Sequence, residues 1–148
     1  MNVQGLRSRA KRRSAFYFFK QRKFDIICLQ ETHITESVKD EWKREWKNGL
    51  VYNAVSPKSL GQIFLFSNKF SDITVVASTS RFLAASVKIK NKSCIIINVY
   101  APNSNQEKID LFNSLHERIK NLHSDEIILC GDFNWVISNE YDLSLIHI

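Results

Sequence analysis

Apolar residues recur along this chain in two rhythms, steps of three and four in some stretches and short unbroken or alternating runs in others. Residues 9–23 predict a helix, with Ala15, Phe16 and Phe19 as an apolar stripe among basic side chains. Residues 25–30 form a short apolar run with β-branched content and predict a buried strand. Ser37 to Asp40 resembles a capping box. Behind it Val38, Trp42 and Trp46 fall at i, i+4 and i+8, an amphipathic helix that stops at Asn48-Gly49. The period then changes. Residues 50–55, 62–67, 72–77 and 83–89 predict consecutive strands, with the clearest turns at 56–59 and 90–92. Residues 94–100 add an isoleucine-rich strand. Ser104-Asn-Gln-Glu107 is a second capping box, and Ile109, Phe112, Leu115, Ile119 and Leu122 follow it at helical spacing. Residues 126–130 predict one more buried strand, ending at Gly131. Strands and helices mixed in this order predict α/β layers.

The length of 148 residues suits one domain. With 44% hydrophobic and 24% charged residues the composition is that of an ordinary globular chain, which excludes disorder, collagen and coiled coil as whole-chain descriptions. No apolar run approaches the roughly 20 residues of a membrane span. The polar, then basic, N-terminal stretch lacks the apolar segment of a secretory leader, so a nuclear or cytoplasmic location is expected rather than secretion. Cys28, Cys94 and Cys130 have no metal-like spacing and sit in or at the end of apolar runs, as small buried residues of a reduced compartment do. The net charge of +6 is uneven: residues 1–24 hold eight basic residues and no acid, leaving 13 basic and 15 acidic residues elsewhere. So local an excess suggests a polyanionic partner. Lys11-Arg12-Arg13 is expected on a solvated helix face, Trp42 and Trp46 in the core, and His116 and His123 at the surface.

Three strand candidates each end in a dense polar cluster. These are Gln30-Glu31-Thr32-His33, Asn98-Val99-Tyr100-Ala101-Pro102-Asn103 and Gly131-Asp132-Phe133-Asn134; a fourth, Asn2-Val3-Gln4-Gly5, opens the chain. Strands aligned in one sheet would gather these endings at one edge, where open α/β sheets place their sites. Carboxylate and amide oxygens suit Mg²⁺, which keeps several waters and takes few protein ligands. Asparagine amides and a tyrosine hydroxyl bond phosphate oxygens without adding charge. A serine nucleophile elbow, a P-loop, a dinucleotide-binding glycine fingerprint and a zinc-like Cys/His cluster are absent from the sequence.

On the motifs Asn2-Val-Gln-Gly-Leu6, Leu29-Gln-Glu-Thr-His33, Asn98-Val-Tyr-Ala-Pro-Asn103 and Gly131-Asp-Phe-Asn134, the chain resembles the endonuclease/exonuclease/phosphatase superfamily. Within it the likeness is to the apurinic-type endonuclease domain of LINE-type (non-LTR) retrotransposons and to the exonuclease III family. The resemblance runs from residue 2 to about 142. It implies an α/β fold, an αββα four-layer sandwich (DNase-like), truncated so that the second sheet is largely missing. It also implies Mg²⁺-dependent hydrolysis of a DNA phosphodiester, with Mn²⁺ as a substitute. By matched position, Glu31 binds the metal with help from Asn2, and Asp132 orients or deprotonates the attacking water. Asn134, Tyr100 and Asn103 hold the phosphate, and His33 lies beside the site. DNA is the implied partner of a monomer that does not engage membranes, and in the parent protein a reverse transcriptase follows.

Three departures sharpen these expectations. Gln4 stands where the repair branch carries an acid, which favours the retrotransposon branch over an apurinic repair endonuclease or an exodeoxyribonuclease III-like enzyme. The family's later Ser-Asp-His segment does not occur in the chain, which covers roughly the first two-thirds of such a domain and is expected to be inactive alone; a non-catalytic pseudogene product is a further alternative. Residues 143–148 back-translate as CTGTCTCTTATACACATC, the end of a transposase adapter used in sequencing libraries. The partial domain is therefore expected over 1–142 with a non-native tail at 143–148, and His147 is not expected to be the family's histidine.

Overall fold

A computed structural model describes residues 1–53 and 61–135 of the chain. The turn expected at 56–59, the end of the strand expected over 50–55 and the tail at 143–148 lie outside the described residues. The elements follow the predicted order: α1 (Arg9–Gln21), β1 (Ile26–Gln30), a 3₁₀ turn (Glu36–Val38), α2 (Lys39–Glu45), β2 (Leu50–Asn53), β3 (Gln62–Phe66), β4 (Phe70–Ser78), β5 (Phe82–Ile89), β6 (Lys92–Tyr100), α3 (Asn105–Ile119) and β7 (Glu126–Asp132). They build two sheets, a smaller one of three strands in the order β1-β3-β2 and a larger one of four in the order β4-β5-β6-β7. All pairings are antiparallel except β6 with β7, which α3 connects as a parallel crossover.

The alternation of side chains along the strands sets the layering. In β3, Ile63 and Leu65 face α1 and α2, where they join Phe16, Phe19, Trp42 and Trp46, while Phe64 and Phe66 face the other sheet. In β6, Ile95, Ile97 and Val99 pack under Leu111 and Leu115 of α3, and Cys94 and Ile96 face inward. The result is the expected αββα arrangement: helices, small sheet, large sheet, helix. β3 is buried on both faces, which explains why its sequence, Gln-Ile-Phe-Leu-Phe, is apolar without alternation.

Several expectations need correction. The polar strand ends do converge, but across two sheets rather than at the edge of one, because β1 belongs to the small sheet and β6 and β7 to the large one. Residues 126–130 are not a buried strand. β7 is the outermost strand, α3 packs over β5 and β6 instead, and Ile127 is 53% exposed. The buried line of α3 runs through Lys108, Leu111 and Leu115, with Phe112, Ile119 and Leu122 on its flank, so Ile109 points to solvent at 54% exposure. The 3₁₀ turn displaces the start of α2, so Val38 occupies the N-cap and the Ser37 hydroxyl pairs with that of Thr35. Ser104 holds the N-cap of α3 by position, without a side-chain cap bond.

The basic run of α1 is not a uniformly solvated face. Arg12 is 1% exposed, its guanidinium forked onto Glu45 (Nε to Oε2, 2.5 Å) and 5.0 Å above the Trp42 ring. Helical spacing turns Arg12 toward α2, and only a carboxylate there makes its burial tolerable. Cys28 and Cys130 are half-buried at the margin of the inter-sheet core, and Cys94 is buried.

Candidate active site

The site begins where the opening segment runs alongside β1. Asn2 forms a parallel bridge to Gln30, Val3 N–H donates to the Gln30 carbonyl (3.1 Å), and Gly5 N–H donates to that of Glu31 (2.7 Å). Two of the polar clusters thus lie side by side through main-chain bonds alone. A buried amide pair then fixes β1 against the other sheet: Gln30 Nε2 donates to Asn98 Oδ1 (2.5 Å) and Asn98 Nδ2 donates to the Leu29 carbonyl (3.0 Å). In the low-dielectric interior such a pair admits one register, since slippage would leave buried amide groups unpaired. Two residues beyond Asn98, Tyr100 emerges beside Glu31.

The outcome is a carboxylate held from two sides. Asn2 Nδ2 and Tyr100 Oη each donate to Glu31 Oε1 at 2.7 Å. Glu31 Oε2 accepts no hydrogen bond among the described residues. The parallel register places Asp132 directly opposite Tyr100, and Ala101 N–H donates to the Asp132 carbonyl (2.8 Å). Asp132 Oδ1 accepts from the Asn134 N–H (3.2 Å), and Asn134 Nδ2 donates to the Ala101 carbonyl (2.6 Å). Burial, the bond to Glu31 and the negative charges of Glu31 and Asp132 push the Tyr100 phenol up to about 12, against the opposing Arg81 guanidinium 5.7 Å from its ring centre. At neutral pH Tyr100 is therefore a donor and not a base.

The backbone is bent to bring this about. Gln4, Glu31, His33 and Asn134 all take positive φ, between 46° and 56°, and these four are a majority of the seven such non-glycine residues among those described. Left-handed non-glycine residues cost about 1 kcal/mol or more each and persist where surroundings over-determine them. Gly131 is obligatory for a different reason: at φ 139° a Cβ there would stand 2.0 Å from the Val99 carbonyl oxygen.

Five of the seven residues picked from the sequence, Asn2, Glu31, Tyr100, Asp132 and Asn134, are thus joined through hydrogen bonds or strand register. The side chains of the other two make no hydrogen bond to these five among the described residues. His33 packs its ring against Gly5, accepts from Arg7 Nε through its carbonyl (3.0 Å), and has a buried Nε2 without a partner among the described residues. Asn103 is exposed in the turn before α3. Sequence reasoning missed Lys108, whose Nζ donates to the Asn134 carbonyl (2.5 Å) from the buried line of α3. A lysine at helical spacing with Leu111 and Leu115 was the available signal. It also missed Arg81, for which the sequence offers none.

Among the described residues no three His, Cys, Asp or Glu side chains converge, and what fits a hard divalent cation is the single Glu31 carboxylate, one oxygen fixed by neutral donors and the other open, as suits an ion that keeps most of its waters.

Residues 1–140 match the endonuclease/exonuclease/phosphatase family. The chain belongs to that family. It is 32% identical over 142 residues to the transposon TX1 uncharacterized 149 kDa protein of Xenopus laevis, covering 93% of this chain and 11% of that one. It is 29% identical over 154 residues to an exodeoxyribonuclease of Bacillus subtilis (strain 168), covering 96% of this chain and 59% of that one. The chain therefore spans less than two-thirds of either relative. Among solved structures, the endonuclease domain of TRAS1, a telomere-specific non-LTR retrotransposon, superposes with a TM-score of 0.64 at 12% identity, over 93% of this chain and 59% of that domain. This last likeness establishes the fold, and the family's two-sheet sandwich is the one described above.

Proposed function

We propose that this chain carries the metal- and phosphate-binding part of a hydrolase that nicks DNA, of the retrotransposon endonuclease type. One observation carries the reading: the Glu31 carboxylate, clamped by Asn2 and Tyr100 with Oε2 left open, stands at the edge where Asp132 and Asn134 also emerge. Mg²⁺, or Mn²⁺ in its place, would supply Lewis-acid polarisation of a phosphoryl oxygen and orient the leaving group. Glu31 Oε2 is the oxygen available to hold it. Asn2 and Tyr100 are neutral donors that keep the other oxygen from rotating away without cancelling the charge. In this reading Asp132 orients the attacking water and takes its proton, supported by the Asn134 N–H that fixes one of its oxygens. The amides of Asn134 and Asn103 hold phosphate oxygens, with Lys108 keeping the Asn134 loop in place and His33 bordering the site. The exposed basic residues of the first 24, which exclude the buried Arg12, supply sequence-independent affinity for DNA. The likeness to a 149 kDa transposon protein supports a longer parent; a reverse transcriptase beyond this domain and a nuclear or cytoplasmic location follow from the retrotransposon reading itself.

A second reading, an exodeoxyribonuclease or apurinic repair enzyme, is favoured by the likeness to the Bacillus subtilis exodeoxyribonuclease. Gln4, neutral where the repair branch carries an acid, weighs against it. Water-proton relaxation in a Mn²⁺ titration of the purified chain tests the shared core of both readings. Glu31→Gln is expected to weaken Mn²⁺ binding about tenfold or more, and unchanged affinity would overturn the assignment. Extending the chain through its downstream reading frame and offering supercoiled plasmid beside an abasic oligonucleotide then separates nicking from repair.

A further inference from the structure

β1 and β7 belong to different sheets, and one half-buried thiol from each meets between them. Cys28 Sγ and Cys130 Sγ lie 3.1 Å apart, at the margin of the inter-sheet core beside Ile26, Phe64 and Ile96. Glu31 follows Cys28 by three residues, and Asp132 follows Cys130 by two. We propose that Cys28 and Cys130 are a redox-modification site: a small peroxide converts them to a reversible disulfide that staples the two sheets beneath the candidate active site.

The geometry favours this pair over any other. A disulfide needs its sulfurs at about 2.05 Å, so the two must close by roughly 1 Å. Among the described residues β7 is the outer strand of its sheet, paired on one side only, and is the strand best able to yield that distance. The same position admits a small oxidant, because neighbouring Ile128 and Leu129 are exposed. The two thiols are also unequally placed: Cys130 Sγ donates to Cys28 Sγ and to the Ile97 carbonyl (3.3 Å) from the outer strand, while the contact with Cys130 and burial push Cys28 up, so Cys130 is the thiol a small oxidant meets first. Cys94, buried in β6 and raised by burial and by Glu126, lies outside this pair.

The chemistry balances with hydrogen peroxide as oxidant. The Cys130 thiolate attacks one peroxide oxygen, the O–O bond breaks, and the departing hydroxide takes a proton to become water, leaving a sulfenic acid. Cys28, giving its proton to solvent, attacks Cys130 Sγ. The S–O bond breaks, a second hydroxide leaves as water, and the S–S bond forms. Two thiols lose two electrons and one peroxide becomes two waters. Excess thiol reverses the bond by exchange.

Trypsin separates the three cysteines onto peptides 24–39, 93–108 and 121–148, so the link can be read directly. The folded 148-residue chain, treated with hydrogen peroxide, blocked with iodoacetamide under denaturing conditions and digested, is expected to yield peptide 24–39 joined to 121–148. The pair should lack two hydrogens and separate in dithiothreitol, with Cys94 alkylated. Cys94→Ser should keep the link and Cys28→Ser should lose it. Undiminished alkylation of Cys28 and Cys130 after peroxide, a link involving Cys94, or links between chains only would each overturn the proposal. The wild-type map decides the matter even if a variant fails to fold.

Discussion

A phenol that donates to a buried-side carboxylate is held neutral by it, and Tyr100 carries that effect at the centre of the site. Its ionisation lies near 12 rather than at the ordinary 10, because ionising would remove burial's preference for the neutral form and set two negative charges against each other across the Glu31 contact. A group whose folded value is raised contributes stability that is complete below its unfolded value and disappears as pH rises through the folded one. The Tyr100 contribution is therefore expected to be intact at neutral pH and to vanish between pH 10 and about 12. Phenolate absorbance during alkaline titration checks this: Tyr100→Phe should remove the latest-titrating tyrosine, and Glu31→Gln should bring it earlier. Tyr52, raised by burial and its bond to Glu36, also titrates late, so an alkaline phase unchanged in size by Tyr100→Phe in a Tyr52→Phe background would show that the Tyr100 phenol is not the group concerned. The motifs around Glu31, Tyr100 and Asp132 were legible because their residue types are forced by their oxygens and amides. Lys108 and Arg81 were not, since a lysine on a helix and an arginine in a turn are usually mere surface.

At the scale of elements, the contact between α1 and α2 turns on Arg12. Burial pushes the Glu45 carboxyl up, but the Arg12 hydrogen bond and the charges of Arg12, Arg13 and Arg9 outweigh it and leave Glu45 below its ordinary value. A lowered carboxyl stabilises the fold above its unfolded value, and that stability is lost as pH falls through the folded one. Arg12→Ala leaves Glu45 only the looser contacts to Arg9 and Arg13 (3.6 Å each), empties the buried space over Trp42, and is expected to destabilise the chain by about 3 kcal/mol in urea unfolding at neutral pH. The same variant should flatten the acid limb of the stability profile; an unaltered acid limb would remove Glu45 as its origin. Pattern reading placed both helices correctly and missed the pair, because a charge run on a helix looks solvated until the facing helix is known. The buried line of α3 failed similarly: Lys108 is counted polar by pattern, so the apolar stripe was drawn through Ile109, one step around the helix.

For the whole molecule the open edge of β7 dominates. Ile127, Ile128 and Leu129 are exposed on both faces of an outer strand whose far edge is unpaired among the described residues. Such an edge is a template for pairing with another chain. Static light scattering should show association that grows with concentration, and Ile127→Lys with Leu129→Lys, on one face of the strand, should lower it several-fold. Scattering unchanged by the lysines would locate the contact elsewhere. The run Ile-Ile-Leu was read as buried because hydrophobicity records what a strand is built to cover, not whether a cover is in place. The strands, helices and four polar motifs were set locally, by side-chain period and by residue chemistry, and the sequence sufficed to find them. Which sheet each strand joined, which thiols met, and which oxygen of Glu31 stayed open depended on contacts between residues up to a hundred positions apart, and those exist only once the two sheets have closed on each other.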